Sequence, residues 1–99
     1  MGANIMRIVN KIAREFVKRK LPFTGNNIHA EKLKHGYIVY SYGIHYPMYI
    51  YSNFSRHWFG NSDHYSLTTE KHKTQCKPQG NKVLHLDTEQ MNELIITLI

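Results

Sequence analysis

The chain has 99 residues, of which 41% are hydrophobic and 20% are charged, a composition typical of one ordinary folded domain. Its formal net charge of +6 argues against acidic mimicry of DNA and favours polyanionic partners. The single cysteine, Cys76, cannot form an internal disulfide, and no apolar run is long enough to span a membrane. We therefore expect one α+β domain over residues 1–99, located in the cytoplasm and without membrane association.

The positive charge is concentrated in two blocks. Residues 1–35 contain eight lysines and arginines against two glutamates, and residues 65–82 contain four lysines against one glutamate. Residues 83–99 contain three acidic residues and no lysine or arginine. The two basic blocks are therefore predicted to attract polyanions, whereas the C-terminal segment is not.

The N-terminal segment has the pattern of an amphipathic helix. Apolar residues recur at the three- and four-residue spacing of one helical face over residues 4–20, and Pro22 ends the pattern. Basic residues occupy the opposite face. Two interpretations of that face stay open: solvated side chains on a helix that packs on the core, or a contact with a polyanion.

The middle of the chain is typical of β-structure. Residues 37–42 and 44–52 are rich in tyrosine and β-branched residues, and a short third strand is predicted around residues 56–59. Residues 28–35 fit either a loop or a short edge strand. We expect a small antiparallel sheet of three to four strands, because this is the smallest sheet that shelters one helix.

Two helix starts follow the predicted strands. Ser66 precedes a segment with the hydroxyl pattern of a helix N-cap, and residues 77–81 end this short helix. Asp87 begins a second such pattern, whose apolar stripe continues to the end of the chain. Between the two helices, residues 83–86 fit either a final strand or an extended connector.

The segment of residues 58–78 is the densest in hydroxyls, imidazoles, amides and lysines. A turn leads into a hydroxyl-rich helix start, and helix N-termini bind phosphates, while aromatic rings before it can stack on bases. The alternative is that the hydroxyls only cap the helix and the aromatics belong to the core. The binding hypothesis predicts a nucleic-acid or anion site formed by Arg56, Trp58, Asn61, Tyr65, Ser66, Thr68, Thr69, Lys71, His72, Lys73 and Gln75.

Metal binding and catalysis are disfavoured by the same sequence. Zinc sites usually bring two closely spaced ligand pairs, and only His72 and Cys76 make such a pair, with His57 and His64 irregularly placed. A catalytic site would use His64 or His72 as a base and Ser66, Thr68 or Cys76 as a nucleophile. No nucleophile elbow, glycine-rich phosphate loop or paired-carboxylate constellation is present, however. We therefore predict no metal, no cofactor and no enzyme activity.

The tyrosines of residues 37–51 form a stripe. Alternation along two strands places most of them on one face of the sheet, where they either form a stacking platform for single-stranded nucleic acid or pack in the core.

One motif within the 58–78 segment resembles a signature of small phage- and plasmid-encoded proteins of uncharacterised function. It consists of Asn61, His64, Tyr65, Ser66, Thr68, Thr69, Lys71, His72, Gln75 and Pro78, and follows the tyrosine-rich strands. The resemblance implies a bacteriophage protein acting in the cytoplasm of an infected bacterium.

Our first hypothesis is therefore a phage-type protein that binds nucleic acid or a nucleotide-like anion through residues 56–77. The alternative is an inhibitor or modulator of a host or anti-phage defence complex that uses the aromatic sheet face as its interface. The sequence also leaves homo-oligomerisation open.

Overall fold

A computed structural model describes residues 5–99. Its elements in chain order are β1 (Met6–Arg7), a 3-10 turn (Asn10–Ile12), α1 (Ala13–Lys18), β2 (Phe23–Thr24), β3 (Ile28–Leu33), β4 (Gly36–Ser41), β5 (Tyr46–Ser52), β6 (His57–Asn61), α2 (Leu67–Cys76), β7 (Val83–Leu86) and α3 (Thr88–Leu98). The α+β class agrees with the prediction.

The prediction of a three- to four-stranded antiparallel sheet is wrong, because the sheet has seven strands in the order β1-β2-β3-β4-β5-β6-β7. Strands β2 to β6 pair antiparallel, while β1 pairs parallel with β2, and β7 pairs parallel with β6. The sheet is therefore mixed. Residues 28–35, which fitted a loop or an edge strand, contain β3, an interior strand between β2 and β4. Residues 83–86 are a strand.

The prediction of a long N-terminal helix over residues 4–20 is also wrong. Asn4 lies outside the described residues, Met6–Arg7 is a strand, and the α-helix begins only at Ala13. The side chain of Asn10 accepts from the backbone N–H of Asn26 at 2.7 Å and donates to its carbonyl oxygen at 2.9 Å. These bonds attach the segment to the turn after β2. Ile5 and Val9, which the helix would have buried, are more than half exposed.

The helices lie on opposite faces of the sheet. On one, the α1–α2 face, Ala13 and Val17 pack with Tyr37, Val39 and other strand residues around a core that also contains Cys76 of α2. On the other, the α3 face, a second cluster is formed by Ile38, Tyr40, Ile50, Met91 and Leu98. Residues alternate between the two faces along β4, as the two-residue strand period requires.

The two predicted helix starts are confirmed. Ser66 caps α2 by accepting from the backbone N–H of Thr69 at 3.0 Å. Asp87 and Gln90 form a reciprocal capping box at the start of α3, in which each side chain accepts from the other residue's backbone N–H.

Candidate functional site

Helix α2 presents two polar side chains and one thiol to the sheet. Thr69, His72 and Cys76 recur at helical spacing and are all buried against the α1–α2 face. The hydroxyl of Ser41, which is wholly buried in β4, lies 2.8 Å from Nδ1 of His72 and 3.0 Å from Oγ1 of Thr69. The Ser66 hydroxyl donates to Oγ1 of Thr69 at 3.1 Å. We call these four residues, Ser41, Ser66, Thr69 and His72, the buried polar network.

Burial also changes the pKa of two side chains of this helix, His72 and Cys76. Desolvation, together with the charge of Lys71, lowers the pKa of His72, so its ring is neutral near pH 7. Desolvation raises the pKa of the Cys76 thiol to about 12, although the charge of Arg14 opposes this rise. The base and the thiol that a catalytic hypothesis would use are therefore a neutral imidazole and a protonated thiol inside the protein.

The other buried residues of the predicted site have structural partners. Trp58 packs against the rings of Tyr37 and Tyr51, at centroid distances of 6.1 and 5.4 Å. Asn61 donates through Nδ2 to the carbonyl oxygen of Pro47 and to the hydroxyl of Thr88, both at 2.9 Å. These contacts join β6 to its neighbours, and those of Asn61 engage the amide group that a ligand would need.

Lys73 is also engaged within the protein. Its Nζ donates to the carbonyl oxygen of Asp63 at 2.9 Å and forms an ion pair with Glu70 at 3.1 Å. Burial alone lowers the pKa of Lys73, but hydrogen bonds to Tyr46 and Glu70 outweigh this effect and raise it. Lys73 therefore stays charged and fixes the chain before α2.

The predicted site residues do not converge on one concavity. Trp58, Asn61, Thr69 and His72 are buried, Ser66, Lys73 and Gln75 are partly buried, and Arg56, Tyr65, Thr68 and Lys71 are exposed. Thr68 and Lys71 lie on the outer side of α2, whereas Thr69 and His72 face the sheet. The spacing of residues 69, 72 and 76 was the sequence signal for the inward side of this helix.

The tyrosine stripe belongs largely to the core. Tyr37, Tyr40, Tyr46 and Tyr49 are all buried, and burial raises the pKa of each phenol. The Tyr37 hydroxyl donates to the carbonyl oxygen of Leu21 at 2.7 Å. The packing interpretation of these tyrosines is therefore confirmed, and the stripe does not form an open platform.

No three potential metal ligands cluster anywhere within residues 5–99. His72 and Cys76 share the inward side of α2, but Nδ1 of His72 is bonded to Ser41. His64 lies at the surface, where Nδ1 is 3.4 Å from Glu70. The four histidine and cysteine residues singled out by the sequence are thus not brought together as a ligand set.

The charge is separated between the two helical layers. Residues 10–20 carry five lysines and arginines against one glutamate, and residues 66–77 carry three lysines against one glutamate. Both segments lie on the α1–α2 face, where α1 and the 3-10 turn contact α2. Residues 87–99 of the opposite layer carry three acidic residues and no lysine or arginine. We call residues 10–20 and 66–77 on the α1–α2 face the basic layer.

The basic layer presents exposed cations. Lys11, Arg14, Lys18, Arg19 and Lys71 are all exposed. Arg14 donates from Nη2 to the carbonyl oxygen of Thr74 at 3.0 Å, which ties α1 to the C-terminal half of α2. In the described part of the chain, Lys73 is the one lysine or arginine that pairs with a carboxylate. The remaining cations of this layer therefore have their charge available for an external partner.

A group of lysines outside the predicted site surrounds a cavity of about 290 Å³ at one end of the sheet. Lys20, Lys32 and Lys34 line it, together with Tyr37 and Asn53. Sequence reasoning counted these lysines as part of the first basic block but did not connect them. The only sequence signal was the two-residue spacing of Lys32 and Lys34, since β3 was not distinguished from a loop.

Comparisons with family models, with curated protein sequences and with solved structures found no match. The resemblance to phage and plasmid proteins therefore stays a prediction. In the described residues, no helix has the length and apolar character needed to cross a membrane.

Proposed function

We propose that this protein binds nucleic acid through its basic layer, residues 10–20 and 66–77. The observation that carries the proposal is the separation of charge between the two sides of the sheet, with cations concentrated on α1 and α2 and carboxylates on α3. A uniformly basic protein would offer no preferred orientation. A charge asymmetry of this kind directs one face towards a polyanion.

The exposed cations of this layer suit contacts with phosphates. Lys11, Arg14 and Lys18 recur at three- and four-residue spacing along one side of the N-terminal helical segment, and Lys71 lies on the outer side of α2. Glu15 is the one acidic residue among residues 10–20. Phosphate contacts release condensed counterions and therefore provide affinity without reading the base sequence.

This mode of binding differs from the one predicted from residues 56–77. In that prediction, the α2 N-terminus and its hydroxyls hold the anion. Ser66 already caps this terminus, and Thr69 and His72 belong to the buried polar network. Of the predicted residues, Thr68 and Lys71 keep a place in the proposed interface because they are exposed on the outer side of the same helix.

The test is a fluorescence-anisotropy titration of labelled single-stranded and double-stranded DNA and RNA, from about 50 mM to 300 mM salt. If three to five phosphates are neutralised, the logarithm of the association constant should fall against the logarithm of salt concentration with a slope of about −2.7 to −4.5 on duplex DNA. Affinities should vary little between sequences of equal length.

Charge-neutralising variants locate the surface. Lys11→Gln, Lys18→Gln and Lys71→Gln should each weaken binding and reduce the salt slope by about 0.9. Lys82→Gln removes the same charge from an exposed position outside the basic layer and serves as the matched control. Absence of binding to any nucleic acid at about 50 mM salt, or equal losses in all four variants, would contradict the proposal.

A second candidate function is binding of a partner protein, such as a host or defence protein. It is favoured by four exposed apolar residues, Ile5, Met6, Val9 and Ile12, beside β1 at the edge of the sheet. An exposed strand edge with apolar neighbours is a common docking surface for another chain. The aromatic sheet face that the sequence predicts for this role is largely in the core.

Affinity capture from a nuclease-treated bacterial lysate separates the two candidates. Nuclease removes partners that are bridged by nucleic acid, so retention of one protein at stoichiometric amount would favour the second candidate. A Val9→Ser variant should then release this protein, whereas Lys71→Gln should not. Loss of every captured protein on nuclease treatment would favour nucleic-acid binding instead.

A further inference from the structure

The lysine-lined cavity lies where the β3–β4 turn and the β5–β6 turn meet. Its volume is about 290 Å³, and Lys20, Lys32, Lys34, Tyr37 and Asn53 contribute to its walls. No aspartate or glutamate is among its lining residues in the described structure. Three lysines that line one small cavity, with no carboxylate beside them in its lining, give it a positive potential that favours an anion as its occupant.

Lys20 reaches this cavity from an unusual backbone position. The N–H of Lys20 donates to the carbonyl oxygen of Val17 at 3.0 Å, and that of Leu21 donates to Phe16 at 2.9 Å, the two bonds of a Schellman motif at the end of α1. Lys20 takes the left-handed conformation there, with φ of 53°. Glycine is the usual residue at this position because a side chain is disfavoured.

The side chain of Lys20 spans an aromatic surface next to the cavity. Its Nζ lies 4.2 Å from the ring centroid of Tyr51 and 5.9 Å from that of Trp58. Tyr51 is partly exposed, while Trp58 is buried beneath. Lys20 thus lines the cavity, and its ammonium group lies over an aromatic ring. A lysine in a position where glycine would relieve strain is expected where its side chain has a function.

We propose that this cavity binds a phosphate group, with Lys20, Lys32 and Lys34 as its ligands. The inference rests on the proposed function, because it supplies a specific site for a phosphate of a nucleic-acid strand or of a free nucleotide. Lysine is a common phosphate ligand that acts as a point charge. The cavity volume is near the lower end of small-molecule sites, about 300 to 1,000 Å³, which suits a phosphate with part of its sugar.

Trp58 provides the assay because it is the single tryptophan of the chain and the Lys20 ammonium group lies close to its ring. Movement of that cation towards a phosphate should change the tryptophan fluorescence. The protein is titrated at low salt with inorganic phosphate, with adenosine monophosphate and with adenosine. We expect a saturable response to both phosphate-containing probes and none to adenosine.

Variants assign that response to the cavity. Lys32→Gln/Lys34→Gln should weaken binding of adenosine monophosphate by about tenfold or more, and Lys34→Gln alone, in an exposed turn, should show a smaller loss. Lys82→Gln is the charge-matched control and should leave the affinity unchanged. Circular dichroism and the melting temperature check that each variant is folded; the single Lys34→Gln variant keeps the test valid if the double variant is not.

The source of the phosphate is distinguished by competition. A 5′-phosphorylated oligonucleotide that displaces adenosine monophosphate, when the 5′-hydroxyl oligonucleotide does not, indicates a strand end, and displacement by both indicates internal phosphates. Displacement by neither indicates a free nucleotide. Each of these results supports the cavity as a phosphate site.

Two results would overturn the inference: no saturable response to either phosphate-containing probe, or full affinity in the Lys32→Gln/Lys34→Gln variant. The proposed function is tested separately by Lys11→Gln and Lys18→Gln, which lie outside the cavity lining. If these variants weaken nucleic-acid binding while the cavity binds no phosphate, the proposed function stands and this inference fails. If the cavity binds phosphate but the protein binds no nucleic acid, this inference stands and the proposed function fails.

Discussion

The buried polar network makes Ser41→Ala the most informative single substitution. The hydroxyl of Ser41 is inaccessible to solvent and lies within hydrogen-bonding distance of both Thr69 and His72. Alanine removes the hydroxyl without adding volume, so the change is confined to these two bonds. If the network is structural, as its burial indicates, the substitution should act on stability rather than on an external ligand.

The expected magnitude follows from the groups left behind. Nδ1 of His72 loses its partner, while Oγ1 of Thr69 keeps a bond from Ser66. A buried polar group left without a partner costs about 1 to 3 kcal/mol. A loss of about 2 kcal/mol corresponds to a fall in melting temperature of about 8 to 16 °C for a domain of this size.

Urea denaturation followed by circular dichroism measures this loss, and the m-value shows whether unfolding remains two-state. Ser55→Ala is the matched control, because Ser55 lies in an exposed turn, and it should change the free energy of unfolding by less than about 0.5 kcal/mol. The Ser41→Ala/Thr69→Val pair should show a coupling of about 1 kcal/mol. A Ser41→Ala variant as stable as the control would refute the reasoning.

Three further predictions concern single residues. Because burial lowers the pKa of His72 below 6.5, the stability from its neutral ring is fully present above about pH 6.5 and is lost as the pH falls. The free energy of unfolding, measured by urea titration between about pH 7 and 5, should therefore decrease by up to about 1.4 kcal/mol per pH unit. In His72→Gln it should decrease less steeply with pH, and equal slopes in the two proteins would contradict this reasoning. Lys20→Gly should be more stable than Lys20→Gln by about 1 kcal/mol in thermal melts, since only glycine relieves the left-handed conformation; equal stabilities would show that Lys20 is not strained. Asp87→Ala, which removes the cap of α3, should destabilise by about 1 kcal/mol in the same melts, whereas Asp87→Asn should cost less.

The parts of the fold that could be predicted are those encoded in local sequence. Ser66 and Asp87 begin helices because their side chains satisfy backbone N–H groups within three residues. The two tyrosine-rich strands were predictable because β-branched and aromatic residues recur between turn formers. Each of these features depends on residues that are close in the sequence, so it can be predicted from the sequence alone.

The fold predictions that are wrong concern segments whose structure depends on contacts with residues distant in the sequence. Residues 5–12 have helical periodicity, but Met6 and Arg7 pair instead with Phe23 and Thr24, and Asn10 bonds to Asn26. Strands of two residues, such as β1 and β2, leave no periodic signal of their own. Neither parallel pairing could be found from local sequence, because each joins segments separated by a helix.

The burial of several candidate site residues has a related cause. A segment rich in Ser, Thr and His suggests a surface that binds a ligand, because such residues are usually exposed. Helix α2 is different, since Ser41 on a neighbouring strand offers a buried hydroxyl to its Thr69 and His72. That partner lies 28 residues from Thr69 in the sequence. The available clue was the helical spacing of Thr69, His72 and Cys76, which matches that of a core stripe.

The mixed pairing of the sheet also bears on the order in which the protein assembles. Strands β3 to β6 are joined by short turns, so each neighbouring pair can form as a hairpin after closing a loop of only a few residues. The outer pairs need the longer connections of residues 8–22 and 62–82, which carry α1 and α2. We therefore expect the central meander to form first and to exchange its amide protons most slowly. The basic layer, which is built from those two longer connections, would then be completed last.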